Sequence, residues 1–556
     1  MIRNNAKAKA WLKAVCWTVG IALLLFTGLF FFTNWLENKI ETMVYQESDG
    51  VNKLQLYGLH VSPFLGSVSV DSLSLTPDYE RWQQLQNTDT KTSRMLIDIH
   101  TKKTKLRGLN TIGLVMGKSV KLDKLVLQQP EILFTVMRQD ITEQHKPLHE
   151  TVKGVVEGVQ INEIDIDNAT LRFRNKADAA ESTFAIKQFN LTVDDFKLDK
   201  RSFRAKDRAY YANNIQMEAA QVSYLLPSGG YRITTDSIKL NTSKRTLLAN
   251  NLKLVPQGAP NELAREKGKS ITYNKAQIQR VAFTDLDYPA HSRNNNFIAK
   301  HLLIVNPNLS AFKDKKNFPD ENEQKPLPHE MVQSVSTKFL IDTIDVKGGF
   351  IRYAELVPKA EKPGYITFQE LNVTITNLSN IPAQISLEHP AVIQANTMVM
   401  GKSSLQIEVR LPLLNKNYYH TLSGRLGETN PEILNKILEP TSFISIKSGH
   451  ISEATFEAEL TKQHARGSMK VIYSNFKIDL LSKEGDTEQS LGKEILSKVA
   501  NLVAIKSSNP DDKGEAPRTG EITVDRNSTK SVFNYWKDCL ASGFLSSAGL
   551  DNKAEK

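Results

Sequence analysis

Apolar and polar positions alternate in short runs along most of this 556-residue chain, and one such run occurs twice. Val159 to Phe173 reads VQINEIDIDNATLRF, and Phe339 to Tyr353 reads FLIDTIDVKGGFIRY. Val159, Ile161, Ile164, Ile166, Leu171 and Phe173 match Phe339, Ile341, Ile344, Val346, Ile351 and Tyr353 in order. Alternation with a period of two predicts strands with one apolar face. Asp167-Asn168-Ala169 and Lys347-Gly348-Gly349, placed before the last apolar pair, have turn composition. The unit is expected as a strand, a kink or bulge, and a tight return.

The correspondence extends well beyond these runs. VSVDSLSLTP (68–77) matches LLANNLKLVP (247–256), and VKLDKLVLQQPEI (120–132) matches FIAKHLLIVNPNL (297–309), with Pro130 against Pro307. KPLHE at 146–150 matches KPLPHE at 325–330, and FNLTVDDF (189–196) matches LNVTITNL (371–378). All the displacements lie between 177 and 182 residues and keep one order, which reads as tandem duplication of a β-rich module. The His-Glu segments, with Pro147 and Pro326 suited to a helix start, are expected as the only helix of each module.

The expected organisation follows. Residues 1–40 form a basic tip and membrane anchor, 41–240 a first β-rich module, and 241–430 its duplicate. Residues 431–481 form a further β section, in which Pro431 to Leu438 reads as a short helix. Residues 482–530 form a charged linker around one amphipathic helix (Leu491 to Val503), with Ser507 to Arg518 mobile. Residues 531–556 form a C-terminal amphipathic helix and tail. In that helix Val532, Trp536, Leu540 and Phe544 share a face that docks on the chain's own sheet, on a partner or on a membrane surface.

Ala14 to Thr33 holds twenty residues without a charge, enough for a helix to cross a hydrocarbon layer of roughly 30 Å. Arg3, Lys7, Lys9 and Lys13 precede it, and Glu37 and Glu41 follow. The basic side stays in the cytoplasm by the positive-inside rule, and Trp11, Trp17 and Trp35 lie near the interfaces. A cleaved signal peptide is the competing reading. The apolar run is longer than such peptides use, and no small-residue cleavage site closes it.

Composition is that of a folded protein, with 40% apolar and 24% charged residues. A net charge of +10 fits a solvated surface or acidic headgroups, and no Lys/Arg stripe with interleaved aromatics points to nucleic acid. Two cysteines, Cys16 and Cys539, are poorly placed for a disulfide. Gly113 to Ser119 resembles a phosphate loop but has three residues between its glycines where four are needed, and MGKS recurs at 400–403 as a turn between alternating runs. His149-Glu150 and His329-Glu330 lack the second histidine of a zinc-protease helix. Asn190-Leu-Thr192 and Asn372-Val-Thr374 sit inside predicted strands, where an Asn/Thr-rich surface accounts for them. The expectation is a non-enzyme with no catalytic, cofactor-binding or metal residues.

Strands apolar on one face must hide that face, in a packed sandwich or along a half-open greasy groove. Periodicity alone leaves both open, with the twelve matched residues lining either a second sheet or lipid tails. The N-terminal anchor, VSVDSLSLTPD, LDKLVLQQPEILF, IDIDNATLRFRN and the closing IKSGHI…GSMKVIYSNFKIDLL together resemble the AsmA-like family of envelope proteins, with its TamB and YhdP relatives. That resemblance covers the layout of residues 1 to 480 and rests on degenerate strand patterns. It implies a single-pass inner-membrane protein with a cytoplasmic N-terminus and a periplasmic, elongated β groove. It also implies phospholipid as cargo and a role in outer-membrane lipid homeostasis or biogenesis. The alternative function is a non-catalytic scaffold, packed inside, that binds outer-membrane or envelope proteins through sheet edges or the C-terminal helix.

Overall fold

The twin runs are not strand-and-return units. In the computed structural model each is one long strand, β7 (Val159–Asn175) and β14 (Phe339–Leu356), with a bulge where a return was expected. Asn168 (φ 51°) and Gly348 (φ 67°) take left-handed backbone there, which lets an extra residue bow out while the strand continues. The side chains of Asn190 and Asn372 accept the backbone N–H groups of Asn168 and Gly348 at 2.8 and 3.1 Å. That bond accounts for the two asparagines of the Asn-x-Thr triplets. Pro130 and Pro307, which have no N–H to donate, sit opposite the bulges, and Pro130 O accepts from Thr170 N at 2.8 Å.

The structure describes residues 33–62, 66–87, 93–109, 120–137, 147–151, 158–175, 182–320, 322–481, 505–511 and 514–550. The fold is mainly β, with its strands in one long mixed sheet and few helices. Two units are distinguished: Met1–Tyr224 with Ser237–Ser243, and Leu225–Asp236 with Lys244–Lys556.

In the first unit, β1 (Asn52–Ser62) pairs antiparallel with β2 (Ser67–Pro77). The short strands β3 (Met95–Thr101) and β4 (Lys103–Arg107) both pair with β2. Next come β5 (Val120–Gln128) on β4 and β6 (Glu131–Val136) on β3. Both β5 and β6 run parallel to β7, and β8 (Phe184–Leu198) and β9 (Asn214–Leu225) continue antiparallel. The parallel step needs a crossover, and its described part includes the Leu148–Thr151 helix. A helix over residues 33–47 packs Leu36 and Ile40 on β1 and β2.

The second unit repeats that plan after β10 (Tyr231–Asn241). β11 (Thr246–Pro256), β12 (Thr272–Thr284) and β13 (Phe297–Asp314) are antiparallel neighbours, and β13 runs parallel to β14 after the Pro328–Gln333 helix. β15 (Gly364–Ser379) and β16 (Ala391–Val399) follow antiparallel. The matched runs share a register: Leu125–Ile164–Val193 are cross-strand partners in one, Leu302–Ile344–Ile375 in the other. Beyond it come β17 (Ser403–Leu411), β18 (His420–Leu426), β19 (Ile444–Leu460), β20 (His464–Leu480) and β21 (Thr519–Asp525), all antiparallel. Residues 400–402 of the repeated MGKS are the tight turn between β16 and β17, as its composition predicts.

Two expectations need correction. The His-Glu helices have company: Tyr79–Gln86 and Lys200–Arg204 in the first module, Pro260–Lys267 and Tyr288–Asn294 in the second. These have one or two turns, too short for a 3.6-residue period to register. Asp78, Asp199 and Asp287 cap three of them with their carboxylates. The described parts of the expected mobile stretch, 507–511 and 514–518, are instead fastened. Asn509 is fully buried and bonds Val471 O and Arg518 N, while Arg518 donates to Ser508 O and Ser547 O. The anchor expectation falls on other residues: no described helix is long and apolar enough to cross a membrane. Residues 14–32 of the expected anchor lie outside the described residues, as do 113–119 and the expected helix over 491–503.

Candidate functional site

Strand register turns alternation into continuous apolar rows, because directly paired residues share a face. In the first unit Val61, Val68, Leu106, Leu125, Ile164, Val193 and Ile215 are successive partners across seven strands. A second row runs Leu54, Leu75, Ile99, Ile132, Leu171, Ile186 and Val222. Phe134, Phe173, Phe184 and Tyr224 form an aromatic row beside it, with ring centroids 4.3, 5.8 and 6.5 Å apart. Leu171, Ile186 and Phe189 belong to one cluster despite their odd spacing, so the bulge keeps this segment on one apolar face.

The second unit has the same arrangement. Leu247, Phe283, Leu302, Ile344, Ile375, Ile393, Val409, Leu422 and Ala458 are successive partners from β11 to β19. Leu254, Ala276, Leu309, Ile351, Phe368 and Val399 form a parallel row. Ile164 and Leu171, then Ile344 and Ile351, are thus where rows cross the two organising strands. Each of the other predicted residues has an apolar cross-strand neighbour: Val159 has Val120, Ile161 Leu122, Ile166 Leu127, Phe173 Phe134, Phe339 Phe297, Ile341 Leu378, Val346 Ile304 and Tyr353 Ile366.

Burial divides these rows. Ile161, Ile341 and Ile344 are buried, while the other nine predicted residues are half-buried. Among the described residues of the first unit, buried clusters include the triads Leu56/Leu59/Val70 and Ile186/Ala219/Val222. Every residue of β11 except Val255 is half-buried. Toward β17 to β21 the picture reverses: Val409 and Leu422 are 1% and 2% exposed, inside a cluster of twenty-one buried residues.

That closed section is covered by the C-terminal helix, Val532–Ser547, which docks on β20 and β21. Its buried residues are Tyr535, Cys539, Ser542, Gly543 and Ser547. Val532, Trp536, Leu540 and Phe544, the expected docking face, are half-buried on the flank, with the last three against the core. The reason is close approach to a sheet edge: a Cβ on Gly543 would lie 2.6 Å from Met469 Cβ, so only small residues fit. Ser546 Oγ accepts from Glu521 N at 2.9 Å, and Ser542 Oγ bonds Thr523 N and O at 3.2 Å, which occupies the outward backbone groups of β21.

Opposite the apolar face lie matched polar pairs. Lys124 donates to Glu163 (2.7 Å) and Asp165 (2.5 Å), and those bonds, Asp165 first, raise its pKa. The equivalent pair in the second module is His301 and Asp345 at 2.9 Å, with Thr374 donating to Asp345 at 2.8 Å. The His301 bond, then Thr374, holds the Asp345 carboxyl below its usual range.

The His-Glu motifs are structural. Glu330 accepts the backbone N–H of Leu327 at 2.8 Å, and fully buried His329 packs between Tyr418 and His420. His149 bonds the Tyr211 hydroxyl through Nδ1 at 2.9 Å. Among the described residues no group of three His, Cys, Asp or Glu is placed to hold a metal. Compared with known proteins, the chain matches no family model and no curated protein.

Proposed function

We propose that this chain is an inner-membrane-anchored, periplasmic protein whose apolar rows hold or conduct phospholipid, contributing to outer-membrane lipid homeostasis. One observation carries the reading. The rows through Ile164 and Leu171 cross seven strands without a polar interruption, yet most of their side chains stay half-exposed. A sheet face of that kind is poorly explained as a packed core, whose residues would be buried as Val409 and Leu422 are. Acyl chains laid along the rows would gain about 0.8 kcal/mol per CH₂ shielded from water, which offsets their removal from a bilayer. The resemblance to AsmA-like proteins supports the same cargo.

The scaffold alternative draws support from the closed section around β17 to β21 alone. A photo-crosslinking residue at Leu125 or Ile166 in the full chain separates the two readings, with Lys121 on the solvent side as control. The groove reading expects phospholipid adducts at the first two positions and none at the third. Absence of adducts from all positions, in a chain that remains folded, would leave the scaffold. Ile164→Asp adds a second arm. A groove tolerates the charge as a folded protein with lost adducts, whereas a packed interior unfolds around it.

A further inference from the structure

The two modules differ at one loop in a way the fold does not require. Between β8 and β9 the chain reads DKRSFRAKDRAYYAN (199–213), with five Lys and Arg against two Asp. The equivalent connection between β15 and β16 reads NIPAQISLEHP (380–390), with none. Asp199 caps the Lys200–Arg204 helix, and Arg208 is consumed locally by the Asp195 carboxylate and Tyr211 O. Lys200, Arg201, Arg204 and Lys206 remain, all exposed and without an ion-pair partner among the described residues. Lys200, Arg201 and Arg204 line a shallow depression with Ala205, and Tyr210 of the same loop is 43% exposed.

Register shows which end of the first unit this loop occupies. The 33–47 helix turns back into β1 through residues 48–50, and Glu41 accepts the backbone N–H of Leu56 at 2.7 Å. Helix and β1 are therefore antiparallel, so the Thr33 end points toward the Ser62 end of β1. Ser62 pairs with Ser67, Val68 with Leu106, Arg107 with Lys124, Val120 with Val159 and Val159 with Leu198. The loop that follows Leu198 thus lies at the same end as Thr33, five strand steps away. At about 4.8 Å per step that is roughly 24 Å along the sheet end.

We propose that Lys200, Arg201, Arg204 and Lys206 dock this end of the first unit on the anionic headgroups of the bilayer that holds the anchor. The inference rests on the anchor reading of residues 14–33. A tether at one point leaves a body free to swing, and a second, electrostatic contact some way off fixes its orientation. Each such cation near an anionic surface adds attraction that falls off within a Debye length, so the contact is salt-sensitive. Tyr210 suits the interface, where an amphipathic ring is favoured.

The test uses the full chain carrying Cys16→Ser and Asp207→Cys, spin-labelled at the new thiol and reconstituted in vesicles. One set is phosphatidylcholine, the other phosphatidylcholine with phosphatidylglycerol. The label is expected to be shielded from a water-soluble relaxation agent in the anionic vesicles alone. High salt, or reversing Lys200, Arg201, Arg204 and Lys206 to Glu, should abolish the shielding. A chain that washes off the vesicles in carbonate overturns the anchor reading and the placement with it. An inserted chain whose label ignores lipid charge, or whose charge-reversed form is equally shielded, overturns the docking alone. Shielding lost on addition of inorganic phosphate at constant ionic strength would assign the cluster to a soluble anion and also overturn it.

Discussion

Asn190 Oδ1 accepts the backbone N–H of Asn168 at 2.8 Å, and this side chain clasps the bulge at the centre of the first organising strand. The same clasp, Asn372 on Gly348, recurs at 3.1 Å in the duplicate. The bulge sets the offset that keeps Leu171 and Phe173 aligned with their neighbours, so the clasp serves the continuity of the apolar rows. Asn372→Ala is expected to lower stability by about 1 kcal/mol, the usual net worth of one hydrogen bond. Gly348→Ala should cost more, about 1–2 kcal/mol, because it forces a left-handed backbone on a residue with a Cβ. Its Cβ would also meet Asn306 Oδ1. Asn168→Gly, in contrast, should be neutral or slightly stabilising. Denaturant midpoints rank the three.

The C-terminal helix is seated by small residues, and its burial can be read through one thiol. Cys539 is fully buried, and burial first, with the Asp538 charge second, pushes its thiol up to about 12. In a Cys16→Ser background the native chain should not react with a thiol reagent at mildly alkaline pH. Gly543→Val drives a branched side chain into Met469 and Ile522 and should lift the helix, restoring rapid Cys539 labelling. It should also uncover the outward edge of β21, now occupied by Ser542 and Ser546, and promote self-association. Thiol kinetics and sedimentation report the two effects separately.

His329 and His420 make the closed section acid-labile. His329 donates through Nε2 to Tyr419 O at 3.1 Å. His420 donates through Nδ1 to Tyr418 O at 2.9 Å and accepts from Trp536 Nε1 at 3.3 Å, an arrangement that suits the neutral ring. Burial, then the His420 charge, lowers the His329 pKa to about 4, and burial lowers that of His420. Because the folded-state values lie below the unfolded value of about 6.5, the stabilising difference is complete above that pH and is lost as pH falls toward 4. For His329 the full difference is of order 3 kcal/mol. His329→Gln should give a shallower fall of the denaturation midpoint between those pH values, measured against the parent chain.

The strands and the matched runs were legible because a period of two and a constant offset are properties of order along the chain. The rows were not, since they depend on which residue faces which across five to eight hydrogen-bonded neighbours. Nothing in the composition of residues 507–518 distinguishes a solvated linker from one held by Asn509 and Arg518, because the same polar side chains serve both. On the C-terminal helix the expected face was legible only in part: Trp536, Leu540 and Phe544 do pack against the core, and the fully seated positions lie beside them. Val532, Trp536, Leu540 and Phe544 carry the largest apolar area, but the sheet edge selects Ser542, Gly543 and Ser547 by size. The basic loop at 199–208 was visible as letters, and its meaning came only from the end of the sheet it occupies.

Leu125 and Leu422 lie on corresponding faces of the two units, and truncating each measures whether the face is open or closed. Leu422 is 2% exposed among Val409, Ala458 and the rest of the closed cluster, so Leu422→Ala leaves a cavity that rigid neighbours cannot fill. A loss of about 3 kcal/mol is expected, within the usual range for a buried leucine. Leu125 is half-buried between Leu106 and Ile164, so Leu125→Ala removes less area from shelter and leaves no enclosed void. A loss of about 1 kcal/mol is expected there. On the proposed groove reading, bound phospholipid would sharpen the contrast, because a ligand held by the native state adds stability that lipid removal takes away. Delipidation should therefore lower the first unit's midpoint and reduce the penalty of Leu125→Ala, while the penalty of Leu422→Ala stays unchanged. Equal penalties at the two leucines, insensitive to lipid, would mean that the first unit's rows are sealed like the last.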